Sequence, residues 1–391
     1  MNALPIARLQ FATTTSFHFL FVLLTLGLVT SVAVMQTRWT FGGKPELLRM
    51  TRFWGRLYVI NYALGIVTGI VMEFQFGLTW TGLSAFAGDV FGAPLAIETL
   101  VAFFLESTFL GLWIFGFGRI NKWLHLTLLW LVTLTAYASA LFIMLANSFL
   151  QNPVGSHVEN GTLRLDDFGA LFTNPALAAS LPHVVGAALV TGGFFVVGVS
   201  AWHFLKRTTE VGFFRRSMRL GVVTALVGSI FVVNQGFAQF GELAKYQPDK
   251  LKGAGVGVGL PLGLMIMIGF VMFLCSLLGA LLLIRNWLTR ARFLHYLMVA
   301  AIPLPFVAAI MGWLVRELGR QPWLVWGKLR TADAIADVPA GQILFSFIAF
   351  TLLFAALAVA DWVLMARVAK RGPEPVGDPA EPAELPVLSG V

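Results

Sequence analysis

The chain has 391 residues, of which 58% are hydrophobic and only 12% are charged. A soluble domain would carry about twice that charged fraction, so we predict an integral membrane protein. The single cysteine, Cys275, excludes disulfides, a Cys-x-x-Cys-His heme site and a cysteine-ligated iron–sulfur cluster. The formal net charge of +8 would suit a nucleic-acid-binding protein, but the positions of the charges indicate membrane topology instead.

Nine apolar segments are each long enough to cross about 30 Å of hydrocarbon as a helix. They cover residues 11–36, 53–78, 95–117, 124–149, 183–204, 218–240, 256–284, 294–316 and 342–366. We therefore predict an all-α membrane domain of nine spans over residues 1–371. The first segment is too long for the core of a signal peptide and is predicted to be a retained span. Residues 372–391 are rich in Pro, Glu and Ala and are predicted to form a disordered cytoplasmic tail.

Basic residues cluster in every second linker and at the C-terminal end of the last span. The clusters lie within residues 38–56, 119–122, 206–219, 285–292 and 367–371. The positive-inside rule places these linkers in the cytoplasm and the N-terminus outside. The basic excess is thus a topology signal and an expected contact for anionic lipid in the bilayer, and no nucleic-acid partner is predicted.

Two carboxylic acids, Glu98 and Glu106, lie in the third predicted span. Ionisable residues are unfavourable in a membrane and usually face the interior of a helix bundle. On a regular helix, eight residues correspond to about 80° of rotation and about 12 Å of rise. The pair is therefore suited to passing protons from mid-membrane toward the outer side. The alternative is two carboxyls kept neutral by burial and hydrogen bonds.

Possible metal ligands gather toward the predicted outer side. His18 and His183 lie near outer ends of spans, and Met267 lies about a dozen residues into the seventh span. A His/Met pair suits a six-coordinate, low-spin b-type heme. Methionine is also ordinary core filler. Met265 and Met267 point about 200° apart on a helix, so at most one of them faces a given heme.

The stretch Gly312 to Trp323, GWLVRELGRQPW, places three charged residues where a span meets water. The carboxylate of Glu317 stays ionised beside Arg316 and Arg320, and so suits an anionic ligand or a proton relay. The plain alternative is an interfacial belt with a salt bridge. As a whole, the string resembles the GW-x-x-x-E-x-GRQPW signature of subunit I of cytochrome bd-type terminal oxidases.

Further strings match the same family, in the family's order, and cover most of the chain. They are RLQFA at 8–12, HFLF at 18–21, MEFQFG at 72–77, FGAPLAIE at 91–98, FFLEST at 103–108 and QNP at 151–153. The resemblance implies a catalytic subunit with three cofactors: low-spin heme b, high-spin heme b and heme d. It also implies reduction of oxygen to water with electrons from quinol and protons from the cytoplasm.

The resemblance assigns the ligands of the heme irons. His18 and Glu317 are similar to the axial ligands of the two high-spin hemes, in an order that differs between family members. His183 and Met267 are similar to the ligands of the low-spin heme.

The resemblance also implies four catalytic residues. Trp313 would lie between hemes on the electron path, and Arg320 would balance heme or carboxylate charge. Glu98 and Glu106 are similar to the proton-pathway carboxylates near the oxygen-reducing heme.

By the same resemblance, the expected partner is a second membrane subunit, either subunit II or a subunit I-like paralogue. A small single-span subunit is a further candidate partner. The expected location is a bacterial or archaeal cytoplasmic membrane.

The outer linker between the sixth and seventh spans departs from the family. Residues 241–255 retain only the start of the quinol-binding loop, in which Gln247 and Lys250 are candidate quinol residues. The acid that follows in the family is absent, and Gly236-Phe237 lacks the acid of the family's Gly-Asp pair. Because quinol oxidation requires a proton acceptor, the electron donor stays open between quinol and a redox protein docking outside.

Two other classes of membrane protein are alternatives. In a proton-coupled transporter the acids would be a relay and the histidines structural, but we find none of the paired halves typical of transporters. A heme-copper oxidase needs several clustered histidines for copper, which six scattered histidines do not supply.

Overall fold

The structure is a computed structural model that describes residues 2–248, 256–284 and 287–374. Within this part of the chain, nine helical units are long and apolar enough to cross a membrane, which confirms the predicted number of spans. Lys250, the loop residues 249–255 and the tail residues 375–391 lie outside the described residues.

The elements follow one another as a chain of helices with two short hairpins. The helices are α1 Ala3–Gly42, α2 Pro45–Leu78, α3 Thr81–Ile97, α4 Phe104–Phe115, α5 Lys122–Gln151, α6 Gly169–Phe172, α7 Pro175–Leu205, α8 Val211–Tyr246, α9 Val256–Ile284, α10 Arg292–Ala300, α11 Leu304–Leu318 and α12 Ala340–Arg371. A π-helix, Glu98–Phe103, joins α3 to α4, and two 3-10 turns cover Trp287–Thr289 and Thr331–Asp333. The strands are β1 Ser156–Glu159, β2 Thr162–Leu165, β3 Trp323–Val325 and β4 Leu329–Arg330.

The helices extend beyond the apolar segments that predicted them. The first was expected over residues 11–36 but runs from Ala3 to Gly42. Hydropathy detects only the part of a helix in hydrocarbon, whereas capping decides where the helix ends. The Asn2 side chain accepts a hydrogen bond from the Leu4 amide, and Gly43 ends the helix in the left-handed conformation at φ 65°.

The third span is not the single regular helix that the sequence predicted. It begins at Thr81 rather than at residue 95, and Ala87 has non-helical angles of φ −125° and ψ 17°. Pro94 lies inside the same helix, and the π-helix then carries Glu98. Proline and π-turns both interrupt regular helical hydrogen bonding. The expected 80° and 12 Å between Glu98 and Glu106 therefore do not apply.

Helices α1 and α7 cross in the middle of the bundle at small residues. A Cβ placed on Gly27 would lie 2.2 Å from the carbonyl oxygen of Ala188, and one on Gly192 would lie 2.5 Å from the carbonyl carbon of Gly27. Only glycine permits this approach of two backbones, as is common in membrane bundles. The crossing brings together the two helices that carry His18 and His183.

The two hairpins lie at one end of the bundle, which we call the hairpin end. β1 pairs with β2 and β3 pairs with β4, both antiparallel. The Lys328 ammonium joins the hairpins by donating to the Ser156 carbonyl oxygen at 2.9 Å. At the opposite, basic end, Arg49 binds Glu210 at 2.8 Å and His203 donates to the Ala369 carbonyl oxygen at 2.8 Å.

Candidate functional site

One cavity of about 820 Å³ occupies the bundle, and its lining reaches the hairpin end at Gln151, Gln247 and Leu324. Its volume lies near the top of the roughly 300–1,000 Å³ typical of ligand sites. Eight of the nine spans line it; of the described residues, none of α12 contributes. Most of the predicted site residues line this cavity: His18, Glu98, Glu106, His183, Gln247, Trp313, Glu317 and Arg320.

His18 is held in one tautomer by α2. The Thr68 hydroxyl donates its single hydrogen to the Gly65 carbonyl oxygen at 2.7 Å, so it must accept from Nδ1 of His18, which lies 2.9 Å away. In the neutral ring, Nε2 of His18 then keeps its lone pair. Gly69 leaves room for the ring, because a Cβ there would lie 3.1 Å from Cε1 of His18.

His183 is held in the same tautomer by α8. Its Nδ1 lies 3.0 Å from the Val232 carbonyl oxygen, which can only accept, so Nδ1 carries the hydrogen. Nε2 again keeps its lone pair. Gly236, one turn along α8, leaves room for this ring, because a Cβ there would lie 3.2 Å from Cε1 of His183.

Three other histidines within the spans use Nε2 for structural hydrogen bonds. His125 donates to the Trp113 carbonyl oxygen at 2.8 Å, His203 to that of Ala369 at 2.8 Å and His295 to that of Leu288 at 2.9 Å. In each case the donor is Nε2. A nitrogen that donates to a carbonyl has no lone pair for a metal. Among the histidines of the spans, only His18 and His183 line the cavity and keep Nε2 for ligation.

Glu317 is the third candidate ligand, and it is held from two sides near the end of α11. Arg320 donates to one carboxylate oxygen, and the Asn147 amide nitrogen donates to the other at 3.3 Å. The Asn147 carbonyl oxygen in turn accepts from Nε of Arg316, whose guanidinium also reaches Ser148 at 3.3 Å. This network orients the carboxylate of Glu317 inside the bundle, beyond what an interfacial salt bridge requires.

Buried donors around Glu317 lack partners in the described structure. Arg320 is 1% exposed, yet its Nε and second terminal nitrogen make no hydrogen bond to any described residue, and neither does the indole nitrogen of Trp313. Unpaired buried donors are unfavourable, so they indicate an acceptor that belongs in the cavity. A heme carries two carboxylates and fits such donors.

Glu98 and Glu106 line the cavity from the π-helix and from α4. Ser139 of α5 donates to Glu98 at 2.5 Å, and Thr99 donates to its other oxygen at 3.3 Å. Glu106 is 5% exposed, and one of its oxygens has no partner in the described residues. The next residue, Ser107, lies 3.3 Å from the Tyr62 hydroxyl. A π-helix at a carboxylate is typical of functional sites.

The structure does not bring Met267 to His183. Met267 is 56% exposed and is absent from the cavity lining, whereas Met265 lines the cavity. A Cβ on Gly312 would lie 2.8 Å from the sulfur of Met265, so this methionine packs directly on α11. The opposite orientation of the two methionines follows from their 200° separation on a helix.

Of the two candidate quinol residues, only Gln247 is described. It is buried, and its amide nitrogen donates to the Gln151 carbonyl oxygen at the hairpin end. Sequence reasoning missed the residues that hold the candidate ligands, namely Thr68, Ser139 and Asn147. Each is a polar side chain inside an apolar span, a signal that marks a position but not its partner.

Comparison with known proteins gives a consistent family assignment. The cytochrome bd terminal oxidase subunit I family matches residues 6–256 and 261–373. Cytochrome bd ubiquinol oxidase subunit 1 of Bacillus subtilis (strain 168) is 38% identical, over 96% of this chain and 95% of that protein. Cytochrome bd-II ubiquinol oxidase subunit 1 of Escherichia coli (strain K12) is 30% identical, over 95% and 97%.

Comparison of the fold with a solved structure supports the same family assignment. The bd oxidase structure from Geobacillus thermodenitrificans superimposes with a TM-score of 0.88 at 26% identity, covering 95% of this chain and 100% of that one. These matches decide against the transporter and heme-copper interpretations, and with them the resemblance seen in the sequence is confirmed. The chain belongs to the cytochrome bd terminal oxidase subunit I family, and is a multi-pass, heme-binding subunit of a terminal oxidase.

Proposed function

We propose that this chain carries a low-spin heme b, a high-spin heme b and a heme d, and passes electrons from quinol to oxygen. One observation supports this most strongly: the two cavity-lining histidines both have Nδ1 bound to an acceptor and Nε2 unused. Second-shell hydrogen bonds of this kind orient metal-ligating imidazoles. When bound, the hemes supply the oxygen-binding iron and the electron transfer that side chains lack.

His18 and Glu317 would hold the two high-spin hemes. Each would offer the iron a different ligand atom, an imidazole nitrogen from His18 and a carboxylate oxygen from Glu317. The imidazole nitrogen of His18 is Nε2, and the carboxylate of Glu317 is held in place by Arg320 and Asn147. The unpaired nitrogens of Arg320 would then bind a heme carboxylate or balance the charge of the site.

His183 and a methionine of α9 would hold the low-spin heme. The family resemblance assigns Met267, which lies three residues before cavity-lining Phe270 and so about 60° from it around the helix. Ligation by Met267 requires α9 to turn inward by about that angle. Helix α9 packs mainly on α8 and α11, so such a rotation would have to rearrange both of these interfaces. Met265 already faces the cavity and is the competing ligand.

Glu106 and Glu98 would deliver protons taken from the cytoplasm. Glu106 lies in the interior with one oxygen that has no partner among the described residues, and Glu98 is held by Ser139 at the cavity wall. Trp313 presents an indole in the same cavity, 6.3 Å from the ring of Phe11 and 6.4 Å from that of Phe19. We assign this aromatic group to the electron path between hemes.

The orientation that we propose has the hairpin end outside and the basic end in the cytoplasm. It rests on the basic clusters, which lie in the linkers opposite the hairpins. The location would be a bacterial or archaeal cytoplasmic membrane. The partner would be a second membrane subunit, either subunit II or a subunit I-like paralogue, with a small single-span subunit as an additional candidate. Residues 1–371 would form the membrane domain and residues 372–391 its cytoplasmic tail.

The proposal is tested by purifying the oxidase with its partner subunit and recording oxygen uptake with a reduced quinol, alongside an optical difference spectrum. We expect uptake together with b-type and d-type bands. Folded protein without heme bands would overturn the heme assignment.

A non-quinol donor is the second candidate, because only nine residues, 247–255, separate α8 from α9. It is favoured if the hemes are present and reduced quinol drives no uptake, whereas a reduced redox protein does.

A further inference from the structure

We propose that Glu242 is the base that takes a proton from quinol as the quinol is oxidised at the outer end of the cavity. This inference rests on the proposed quinol donor. It answers a chemical gap in the sequence, because the acid that follows Lys250 in the family and the acid of the family's Gly-Asp pair, at Phe237 here, are both absent. Quinol oxidation still requires a proton acceptor, and Glu242 is a carboxylate that the loop resemblance did not single out.

Glu242 lies on the helix that positions His183. Val232 binds Nδ1 of His183, and Gly236 makes room for its ring. Glu242 follows Gly236 by six residues, which is about 9 Å of helical rise toward the hairpin end. Gln239, Glu242 and Gln247 all line the cavity. Glu242 therefore lies about 9 Å closer to the hairpin end than Gly236, which contacts His183, the candidate ligand of the low-spin heme.

Glu242 interacts electrostatically with Lys245, but one of its carboxylate oxygens accepts no hydrogen bond from the described residues. This oxygen is Oε2, and it is buried. By contrast, Glu317 is bound by Arg320 and Asn147, and Glu98 is bound by Ser139 and Thr99. A buried acceptor without a donor is unfavourable, which indicates that a donor from outside the chain belongs there.

A second hydrogen-bond acceptor without a partner among the described residues belongs to Gln247, five residues further along at the end of α8. The amide nitrogen of Gln247 donates to the Gln151 carbonyl oxygen, which fixes the amide and leaves its own Oε1 buried without a partner in the part of the chain that is described. Two unsatisfied acceptors at one end of one cavity match a ligand with two hydroxyl donors. A hydroquinone has two such hydroxyls, and its ring suits the apolar walls of the cavity.

A hydroquinone loses two electrons and two protons in becoming a quinone. One hydroxyl gives its proton to the carboxylate of Glu242, which later releases it to water at the hairpin end. The other hydroxyl, held by Oε1 of Gln247, gives its proton to water. The two electrons would leave one at a time for the low-spin heme that His183 would hold, which supplies the electron acceptor when bound.

The test is Glu242→Gln in the complete oxidase, because glutamine keeps the size and the hydrogen-bonding capacity but accepts no proton. We expect oxygen uptake with reduced quinol to fall by about 10²-fold, the contribution typical of a general base. Uptake with tetramethylphenylenediamine and ascorbate should be unchanged, since this one-electron donor need release no proton at the site. Glu159→Gln, an exposed carboxylate in the β1 strand, is the matched control and should leave both rates unchanged.

A second readout does not depend on turnover. Anaerobic addition of quinol to the wild-type oxidase should produce an infrared band of a newly protonated carboxylic acid, which Glu242→Gln should lack and Glu159→Gln should retain. Glu242→Asp should restore part of the quinol rate.

The outcomes separate the two proposals. If wild-type and Glu242→Gln oxidise quinol equally, or if Glu242→Gln loses both donor activities, the role of Glu242 is overturned and the quinol donor stands. If the wild-type oxidase uses no quinol, both are overturned.

Discussion

Arg320 donates a hydrogen bond to Glu317 from within the bundle, where the arginine is 1% exposed and the glutamate 9%. The pair is part of a larger network, because Asn147 also binds Glu317. Two charges out of water are stable only when each is matched, so each residue of the pair depends on the other.

Arg320→Met should therefore be strongly destabilising. Leaving a buried carboxylate unpaired costs about 3–5 kcal/mol. Arg164→Met is the matched control, because Arg164 pairs with Asp89 at an exposed position, where an ion pair contributes only about 0–1 kcal/mol. The midpoint of thermal unfolding of the purified oxidase measures both. Equal midpoints for the two variants would contradict the structural role of the buried pair.

Thr68→Val should weaken heme binding at His18 without unfolding α2. Valine has nearly the shape of threonine but cannot accept the hydrogen bond from Nδ1, so the imidazole loses its fixed tautomer and orientation. Loss of such a second-shell contact typically lowers affinity or activity by about 10–100-fold. Heme content per protein measures the effect, and Thr68→Ser should preserve it. Full heme occupancy in Thr68→Val would show that the contact does not orient a ligand.

His183→Ala should remove the low-spin heme and largely preserve the fold. The side chain makes its hydrogen bond to Val232 at the cavity wall, and the α1–α7 crossing at Gly27 and Gly192 does not involve it. The reduced-minus-oxidised spectrum should lose the low-spin b band. His157→Ala, at an exposed hairpin position, should leave the spectrum unchanged. An unaltered spectrum in His183→Ala would refute the assignment.

Substitutions of the two α9 methionines identify the second ligand. We expect Met267→Leu to abolish the low-spin band and Met265→Leu to retain it, because leucine fills the same space but offers no thioether. The opposite result would show that the cavity-facing orientation of Met265 persists when heme is bound. Optical spectra of both variants, purified with the partner subunit, provide the comparison.

Glu106→Gln should slow turnover with heme content intact. The substitution keeps the size of a buried side chain but removes its ability to carry a proton, and we expect a loss of about 10²-fold. Anaerobic reduction of the hemes by quinol should be unaffected, since that half-reaction needs no proton delivered to oxygen. Oxygen uptake at the wild-type rate would remove Glu106 from the proton path.

Several features were determined by local sequence alone. The nine spans follow from runs of apolar residues, because a lipid-exposed helix must be apolar whatever its neighbours are. His18, His183, Glu106 and Glu317 stood out because ionisable residues in a membrane are unfavourable unless a site uses them. The family signature around residues 312–323 added the roles, and the family itself is confirmed.

Only the tertiary structure decided which atoms of those residues remain available to bind a ligand. Thr68 lies 50 residues from His18, and Val232 lies 49 residues from His183, so no local pattern shows that both rings keep Nε2 unused. The interruption of the third span, the inward face of α9 and the unpartnered oxygen of Glu242 are also invisible in hydropathy. Hydropathy reports only whether lipid or water surrounds a helix. The rotation of a helix, the tautomer of a histidine and the hydrogen-bond partner of a carboxylate depend on contacts with neighbouring helices, which form only when the bundle packs.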